Sequence, residues 1–331
     1  MNPSDMSDTS HRLTIAVLGA NGRLGSSVAC AAAARGHHVI AVTRTGRLAA
    51  EVAGAPGRPE PRAADALQAG SLAGAIRGAD VVVNALNPVY TDWPKTVRPM
   101  ARNVIAACAA TGAHHLFPGN VYNYGAGMPA VLRADTPQVP TARKGVIRRD
   151  VEALLRQAAA EGRVRTTILR AGDFYGGPRP GGSWFDLAVA SRLGKGRFVY
   201  PGPMDLPHAW AYLPDLARAF VALAEAHAAL PDFADLGFAG HVLTGARMKA
   251  LLEGAAGRPL KPARFPWTAI RALSLVHPMS REIAEMAYLW STPHALDGAD
   301  LEALIGALPQ TPPEAAVAGA LAAMQAVPKA A

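Results

Sequence analysis

The stretch from Leu13 to Gly25 reads LTIAVLGANGRLG, and its reading decides the fold. Leu13, Ile15, Val17 and Leu18 make a short, mostly apolar strand. It runs straight into Gly19-Ala20-Asn21-Gly22-Arg23-Leu24-Gly25, after which an alanine-rich helix begins. A glycine-rich turn between a strand and a helix presents backbone N–H groups to a pyrophosphate. Gly19 permits the tight turn, Gly22 lets phosphates approach the backbone, and Gly25 lets the helix pack close to the strand. The spacing is G-x-x-G-x-x-G, not G-x-G-x-x-G, so the glycines alone are a weak signal. With the strand before and the helix after, Gly19, Asn21, Gly22, Arg23, Leu24 and Gly25 become a candidate nucleotide-binding set.

The 331 residues hold one large domain or two small ones with ample core. Half are apolar and 18% are charged, a globular composition. The formal charge of +8 reads either as an arginine-rich enzyme or as an attraction to anionic ligands such as phosphorylated cofactors. No dense Lys/Arg run with interleaved aromatics points to nucleic acid. The two cysteines, Cys30 and Cys108, lie in alanine-rich helical stretches outside any metal-type spacing, so no metal and a reducing cytoplasm are expected. The start, MNPSDMSDTSH, is polar and acid-bearing and reads as a loose tail, not a signal peptide or anchor. No run approaches the roughly 18 uncharged apolar residues that span a bilayer.

Further along, helices are expected over 26–35, 71–77, 96–111 and 145–161, and strands over 37–43, 62–65, 80–86, 115–117 and 165–170. Glycines close several of the helices, as at Gly36 and Gly112. This alternation predicts a doubly wound parallel sheet of Rossmann type. After Arg170 the pattern loosens: a glycine- and proline-rich stretch, a helix over 184–193, strands over 210–213 and 241–243, and a mainly helical remainder. The expected division is a tail over 1–11 and a dinucleotide-binding domain over 12–172, with 208–240 returning to it. A smaller, mostly helical substrate lobe is expected from 173–207 and 241–308, then a loosely held tail over 309–331.

These motifs together resemble an extended short-chain dehydrogenase/reductase, the superfamily of the NAD-dependent epimerases and dehydratases. The resemblance runs from about Leu13 to Leu260 and rests on GANGRLG, Ala64-Asp65, NALNP, PGNVYNYG, KGVIRRDVEALL, ILRAGDFYG and WAYLPDLARA. It implies that Gly19, Gly22 and Gly25 hold the dinucleotide phosphates. It also implies that Asp65 sits beside the adenine, unless Asp65 only caps a loop, and that Asn84 and Ala85 line the nicotinamide side.

An NAD enzyme commonly carries an acid near the end of strand two for the ribose 2′-hydroxyl. This chain has none between Asp8 and Glu51, and has Arg44, Arg23 and Arg47 instead. Guanidinium groups there pair with a 2′-phosphate, which favours NADP, with NAD as the alternative, unless the arginines are only solvated.

The resemblance breaks at the catalytic positions. Its active members use a Ser or Thr, then a Tyr and a Lys four residues apart; here those positions fall on Asn120, Lys144 and Arg148. No Tyr-x-x-x-Lys occurs in the sequence. Asn120 can donate to a carbonyl oxygen. Lys144 beside Arg148 is expected to have a depressed pKa suited to a general acid, and also to touch cofactor. Arg148 can hold the ribose, and Tyr122 offers a phenol. Either the site works in altered form or these residues only bind cofactor.

Tyr175, Ser183, Trp184, Phe185 and Trp210 are the candidate substrate pocket, with a core role for Trp184 and Phe185 as the alternative. His208 is given no role. Two functions follow: an NAD(P)-dependent oxidoreductase or epimerase-like enzyme acting on a small carbonyl, hydroxyl or sugar-type substrate, or a non-catalytic NADP(H) sensor like the nitrogen-regulator branch. A homodimer through the helices over 96–111 and 145–161 is a further expectation by analogy.

Overall fold

The computed structural model describes residues 12–326. The tail expected over 1–11 lies outside them. In chain order the strands are β1 (Thr14–Leu18), β2 (His38–Thr43), β3 (Glu60–Ala63), β4 (Val81–Asn84), β5 (His114–Gly119), β6 (Val131–Leu132) and β7 (Thr166–Arg170). They continue as β8 (Asp173–Tyr175), β9 (Arg197–Tyr200), β10 (Pro207–Tyr212), β11 (Phe233–Gly237), β12 (His241–Thr244), β13 (Lys261–Arg264) and β14 (Ala295–Leu296). The helices are α1 (Arg23–Ala34), α2 (Ala50–Ala53), α3 (Ser71–Ala75), α4 (Trp93–Thr111), α5 (Arg143–Ala160) and α6 (Leu213–Glu225). After them come α7 (Gly245–Ala256), α8 (Trp267–Leu273), α9 (Pro278–Glu285), α10 (Ala299–Ile305) and α11 (Pro313–Ala326).

Seven strands form one sheet in the order β11-β7-β5-β4-β1-β2-β3, every pairing parallel. Its central strands are apolar at nearly every position because both faces are covered. Alternate residues of β1 and β4 divide between two cores. Ile15, Val17, Val81 and Val83 pack under α1 and α6, while Ala16, Leu18 and Val82 pack under α4 and α5 through Val104, Ile105, Val151 and Leu155. The order turns back between β1 and β4, the switch point where such sheets bind ligands beyond their carboxyl ends. β11 joins this sheet at its edge and α6 lies against α1, so residues beyond 210 serve the first core.

The remaining strands build a smaller lobe: β12-β10-β8 in one sheet, and the pairs β9–β13 and β6–β14. Helices α8–α11 complete a largely helical C-terminal region. Three local expectations are corrected. The helix over 184–193 is a π-helical turn at Phe185–Val189 followed by a 3₁₀ turn at Leu193–Lys195. The mainly helical remainder also contains β13 and β14. The segment over 309–331, expected to be loosely held, contains α11, whose Ala316, Val317 and Ala320 are buried in the lobe's core. Small side chains let that helix seat closely on α7, so a composition that reads as low complexity serves as packing.

Candidate functional site

Three glycines shape the loop between β1 and α1. Gly19 has φ +72°, and a Cβ there would lie 3.0 Å from the Ala85 carbonyl oxygen at the end of β4. A Cβ on Gly25 would lie 2.2 Å from the Gly19 carbonyl oxygen, so only glycine lets α1 start this close to β1. Gly22 is the N-cap, and its amide donates to Gly19 O at 2.8 Å. The first turn of α1 carries no acidic residue, so its unpaired amides and dipole favour an anion. Leu24 is buried in the core beneath, leaving only its backbone to the loop.

Two other loop residues are used differently from the expectation. Asn21 donates to Arg47 O at 2.9 Å and accepts from Ala49 N at 2.8 Å, pinning the segment after β2. Arg23 turns toward the second lobe, donating to Arg179 O and Gly176 O and pairing with Asp186 at 3.3 Å. Arg44 and Arg47 are exposed, with no ion pair among the described residues. Asp65 caps its own turn, accepting from Leu67 N at 2.9 Å through Oδ1. Buried Asn84 accepts from Leu86 N, and Ala85 donates to Leu18 O.

On α5, Lys144 and Arg148 lie one turn apart. Lys144 is 1% exposed, and its ammonium donates to Glu282 Oε2 at 2.5 Å, Glu285 Oε2 at 3.1 Å and Glu282 O at 2.9 Å. Arg143 pairs with the same two carboxylates. The like-charged surroundings expected for Lys144 are therefore corrected: its immediate neighbours are anionic and its three donors are spent. Arg148 is different. Its guanidinium lies over the rings of Trp93 (5.0 Å) and Phe117 (5.1 Å), donates weakly to Pro118 O at 3.4 Å, and leaves a buried Nε with no partner. It lines a small cavity with Asn84, Leu86, Asn87, Trp93 and Phe117 at the carboxyl ends of β4 and β5.

Asn120 accepts from Tyr122 N at 3.0 Å, and its side-chain amide nitrogen makes no hydrogen bond to the described residues. Gly145 lets α5 abut this turn, since a Cβ there would lie 2.2 Å from Tyr122 O. The Tyr122 hydroxyl meets that of Tyr90 at 2.9 Å. Burial pushes both phenols up, Tyr122 well above its ordinary value, so both stay protonated.

Of the expected substrate pocket, Tyr175, Phe185 and Trp210 are fully buried and pack on one another in the lobe's core. Ser183 caps the π-helical turn through Asp186 at 2.7 Å. Trp184 alone is half-buried, edge-on to Trp290 at 5.3 Å and close to Phe265 and Trp267. The residues that sequence reasoning missed are Tyr90, Asp173, His208, Glu282 and Glu285. Asp173 accepts from, or shares a proton with, His208 Nε2 at 2.8 Å, directly beyond the carboxyl end of β7. That position after a parallel strand was the available signal for Asp173; the two glutamates, far along the chain, gave none.

No group of three or more His, Cys, Asp or Glu residues suited to a metal occurs among the described residues, and no helix there is long and apolar enough to cross a membrane. The parallel sheet, its glycine-shaped switch point and the added lobe define a dinucleotide-binding protein of the extended Rossmann type. Residues 19–182 match the model of a family described as NAD(P)H-binding. No curated protein matches the chain.

A putative epimerase from Burkholderia cenocepacia is similar at 19% identity and TM-score 0.75, covering 96% of this chain and 99% of that one. The UDP-glucuronic acid 4-epimerase of Bacillus cereus, with UDP-glucuronic acid and NAD, is similar at 16% identity and TM-score 0.73, covering 95% and 99%. The UDP-glucose 4-epimerase of Bifidobacterium longum, with NAD⁺ and UDP, is similar at 16% identity and TM-score 0.73, covering 94% and 98%. At these identities the likeness is one of fold. With the family match over residues 19–182, the chain is similar to NAD(P)H-binding proteins and shares its fold with these epimerases.

The preference for NADP is overturned. The neighbours described with a dinucleotide hold NAD. Of the three arginines that suggested a 2′-phosphate, Arg23 is committed to the other lobe, and Arg44 and Arg47 stand in solvent. Nothing in these neighbours' descriptions speaks for the sensing alternative.

Proposed function

We propose that the chain is an NAD-dependent oxidoreductase of the epimerase/dehydratase type that acts on a nucleotide-sugar. The observation carrying this reading is the cradle at the switch point, which a Cβ on Gly19 or Gly25 would fill and which lies at the unpaired amides of α1. The residues fit the cofactor on a second count: Arg148 brings a buried, unpartnered N–H to the cavity beyond β4 and β5. In this reading Gly19, Gly22 and Gly25 hold the pyrophosphate, Asp65 faces the adenine, and Arg148 with Asn84 and Ala85 orients the nicotinamide riboside. When bound, the nicotinamide supplies the hydride acceptor.

The chain's own residues do the rest. The uncommitted Asn120 amide donates to the reacting substrate oxygen as charge grows on it. Tyr122, held by Tyr90, adds a neutral phenolic donor. Trp184, edge-on to Trp290, gives a flat apolar wall for a ring. Lys144 ties the start of α5 to α9, so it orders the wall of the cleft and takes no part in proton transfer. The sugar-nucleotide class comes from the two solved neighbours described with UDP or a UDP-sugar.

The test is to mix purified protein with NAD and a panel including UDP-glucose and UDP-glucuronic acid, following reduced nicotinamide and the sugar product. A transient of reduced nicotinamide with an inverted or oxidised sugar is expected. A protein that binds NAD calorimetrically but leaves the whole panel unbound and unchanged contradicts the substrate class, and one that binds no NAD contradicts the whole reading.

A further inference from the structure

We infer that Asp173, positioned by His208, is the proton acceptor for the substrate hydroxyl; this rests on the function proposed above. The site lacks the usual tyrosine and lysine, its tyrosines are held neutral by burial, and Lys144 is spent on Glu282 and Glu285. A carboxylate at the carboxyl end of the sheet answers the need for a base.

The geometry is purpose-built in one respect. Gly172 must lack a side chain, because a Cβ there would lie 2.2 Å from the Ala209 carbonyl oxygen. Its absence lets β8 lie directly against β10, in parallel register with Trp210 opposite Asp173. His208 is on the same face of β10 as Trp210, two residues earlier, and reaches Asp173 Oδ2 at 2.8 Å. The imidazole is fixed from behind, stacked on Trp290 at 4.4 Å and 10°, with His294 edge-on at 4.6 Å. Asp173 keeps 15% of its side chain exposed while His208 keeps 3%, so the carboxylate is the member presented to the cleft. Its Oδ1 has no hydrogen bond to the described residues.

The groups around this pair come from both lobes. Tyr90 and Tyr122 stand on the Rossmann side, with Arg148 and Glu282 within electrostatic reach, and Tyr200, Tyr288 and His294 stand on the other side. Burial raises all four phenols, and the Asp173 charge adds to each rise. His294 is pushed down to about 4 by burial and by His208. Near neutral pH the phenols and His294 are therefore uncharged. On oxidation the C–H electron pair of a sugar carbinol leaves as hydride to the oxidised nicotinamide dinucleotide. The C=O bond forms as the O–H bond breaks, and the proton passes to Asp173 Oδ1. Reduction of the carbonyl returns that proton to oxygen. His208 positions Oδ2.

The experiment uses the full chain with NAD and UDP-glucose. Asp173→Asn is expected to lower kcat/KM by about 10²–10⁴-fold, the usual yield of a general base. His208→Gln is expected to lower it less, through kcat with KM little changed, as for a residue that positions the carboxylate. NAD affinity, measured by calorimetry, should be retained in both. Wild-type kcat and KM that persist in both variants overturn the inference and leave the nucleotide-sugar reading intact. Wild type that binds NAD but neither binds nor oxidises UDP-sugars overturns both. Asp173→Glu keeps the test open if Asp173→Asn fails to fold: it should keep a measurable part of the turnover with NAD affinity retained, and full wild-type turnover in a folded Asp173→Ala overturns the inference.

Discussion

The glycine loop and the first turns of α5 both lie at the carboxyl edge of the sheet, and they have been treated in opposite ways. The loop keeps every backbone feature that a pyrophosphate needs, with the Gly25 position closed to any side chain by a 2.2 Å approach to Gly19 O. On α5 two cations replace the usual pair, and they too differ from one another. Lys144 has two carboxylates and a carbonyl. Arg148 has two aromatic faces and a buried N–H with nothing to receive it. A satisfied buried cation is architecture; an unsatisfied one beside a cavity is an invitation to a ligand. In the proposed function, binding is retained while proton transfer moves to Asp173.

The sharpest way to break this contrast is to remove each cation. Lys144→Met strips the partner from Glu282 and Glu285 and should cost about 3–5 kcal/mol of stability, measured by denaturant unfolding, because a buried carboxylate is left uncompensated. The folded fraction should still bind NAD. Arg148→Met should do the reverse, weakening NAD by roughly 10–100-fold through loss of a charge-assisted hydrogen bond, with no loss of stability. If Lys144→Met abolishes NAD binding, or Arg148→Met unfolds the protein while leaving affinity unchanged, the two roles have been exchanged.

A third prediction concerns pH. Burial pushes His115 down to about 3 and His114 to about 4, and His294 also to about 4. The folded state therefore holds them neutral while the unfolded chain protonates them below its ordinary value of 6.5. Their contribution is intact above that pH and lost as pH falls toward the folded values. Each histidine steepens the decline by about 1.4 kcal/mol per pH unit. Thermal unfolding from neutral pH down to about 4 should show this decline, and His115→Leu should flatten it. A flat profile in wild type would show that these histidines are hydrated.

The smallest effect is expected at Arg44. Exposed and unpaired, it should be replaceable by alanine with NAD affinity changed by less than about twofold, as for other solvated charges. NADP should titrate no more tightly than NAD in either protein. A large loss of affinity on Arg44→Ala would restore a phosphate-binding role to that arginine.

What could be read from the chain followed how local the chemistry is. The cofactor loop lies within one strand–turn–helix, so its glycines announced themselves, and the buried valines of β4 announced a parallel sheet. Arg23 and Lys144 were legible as positions but not as roles, because each is decided by a remote partner. Arg23 answers to Gly176, Arg179 and Asp186; Lys144 answers to carboxylates 138 and 141 residues away. Tyr175, Phe185 and Trp210 looked like pocket because aromatics near glycines often are, yet the three rings pack on one another with no surface left. Asp173 and His208 are 35 residues apart and meet only because Gly172 lets two strands touch.

In the proposed function NAD sits in the glycine cradle of β1 and α1. Calorimetric titration of NAD into wild type and into Gly22→Val tests it most directly, since the new side chain would stand at the N-cap of α1, crowded against Gly19 O at 3.1 Å. Saturable binding to wild type, lost in a variant that remains folded, is the expected result. No binding to wild type, or equal binding to both, would contradict it.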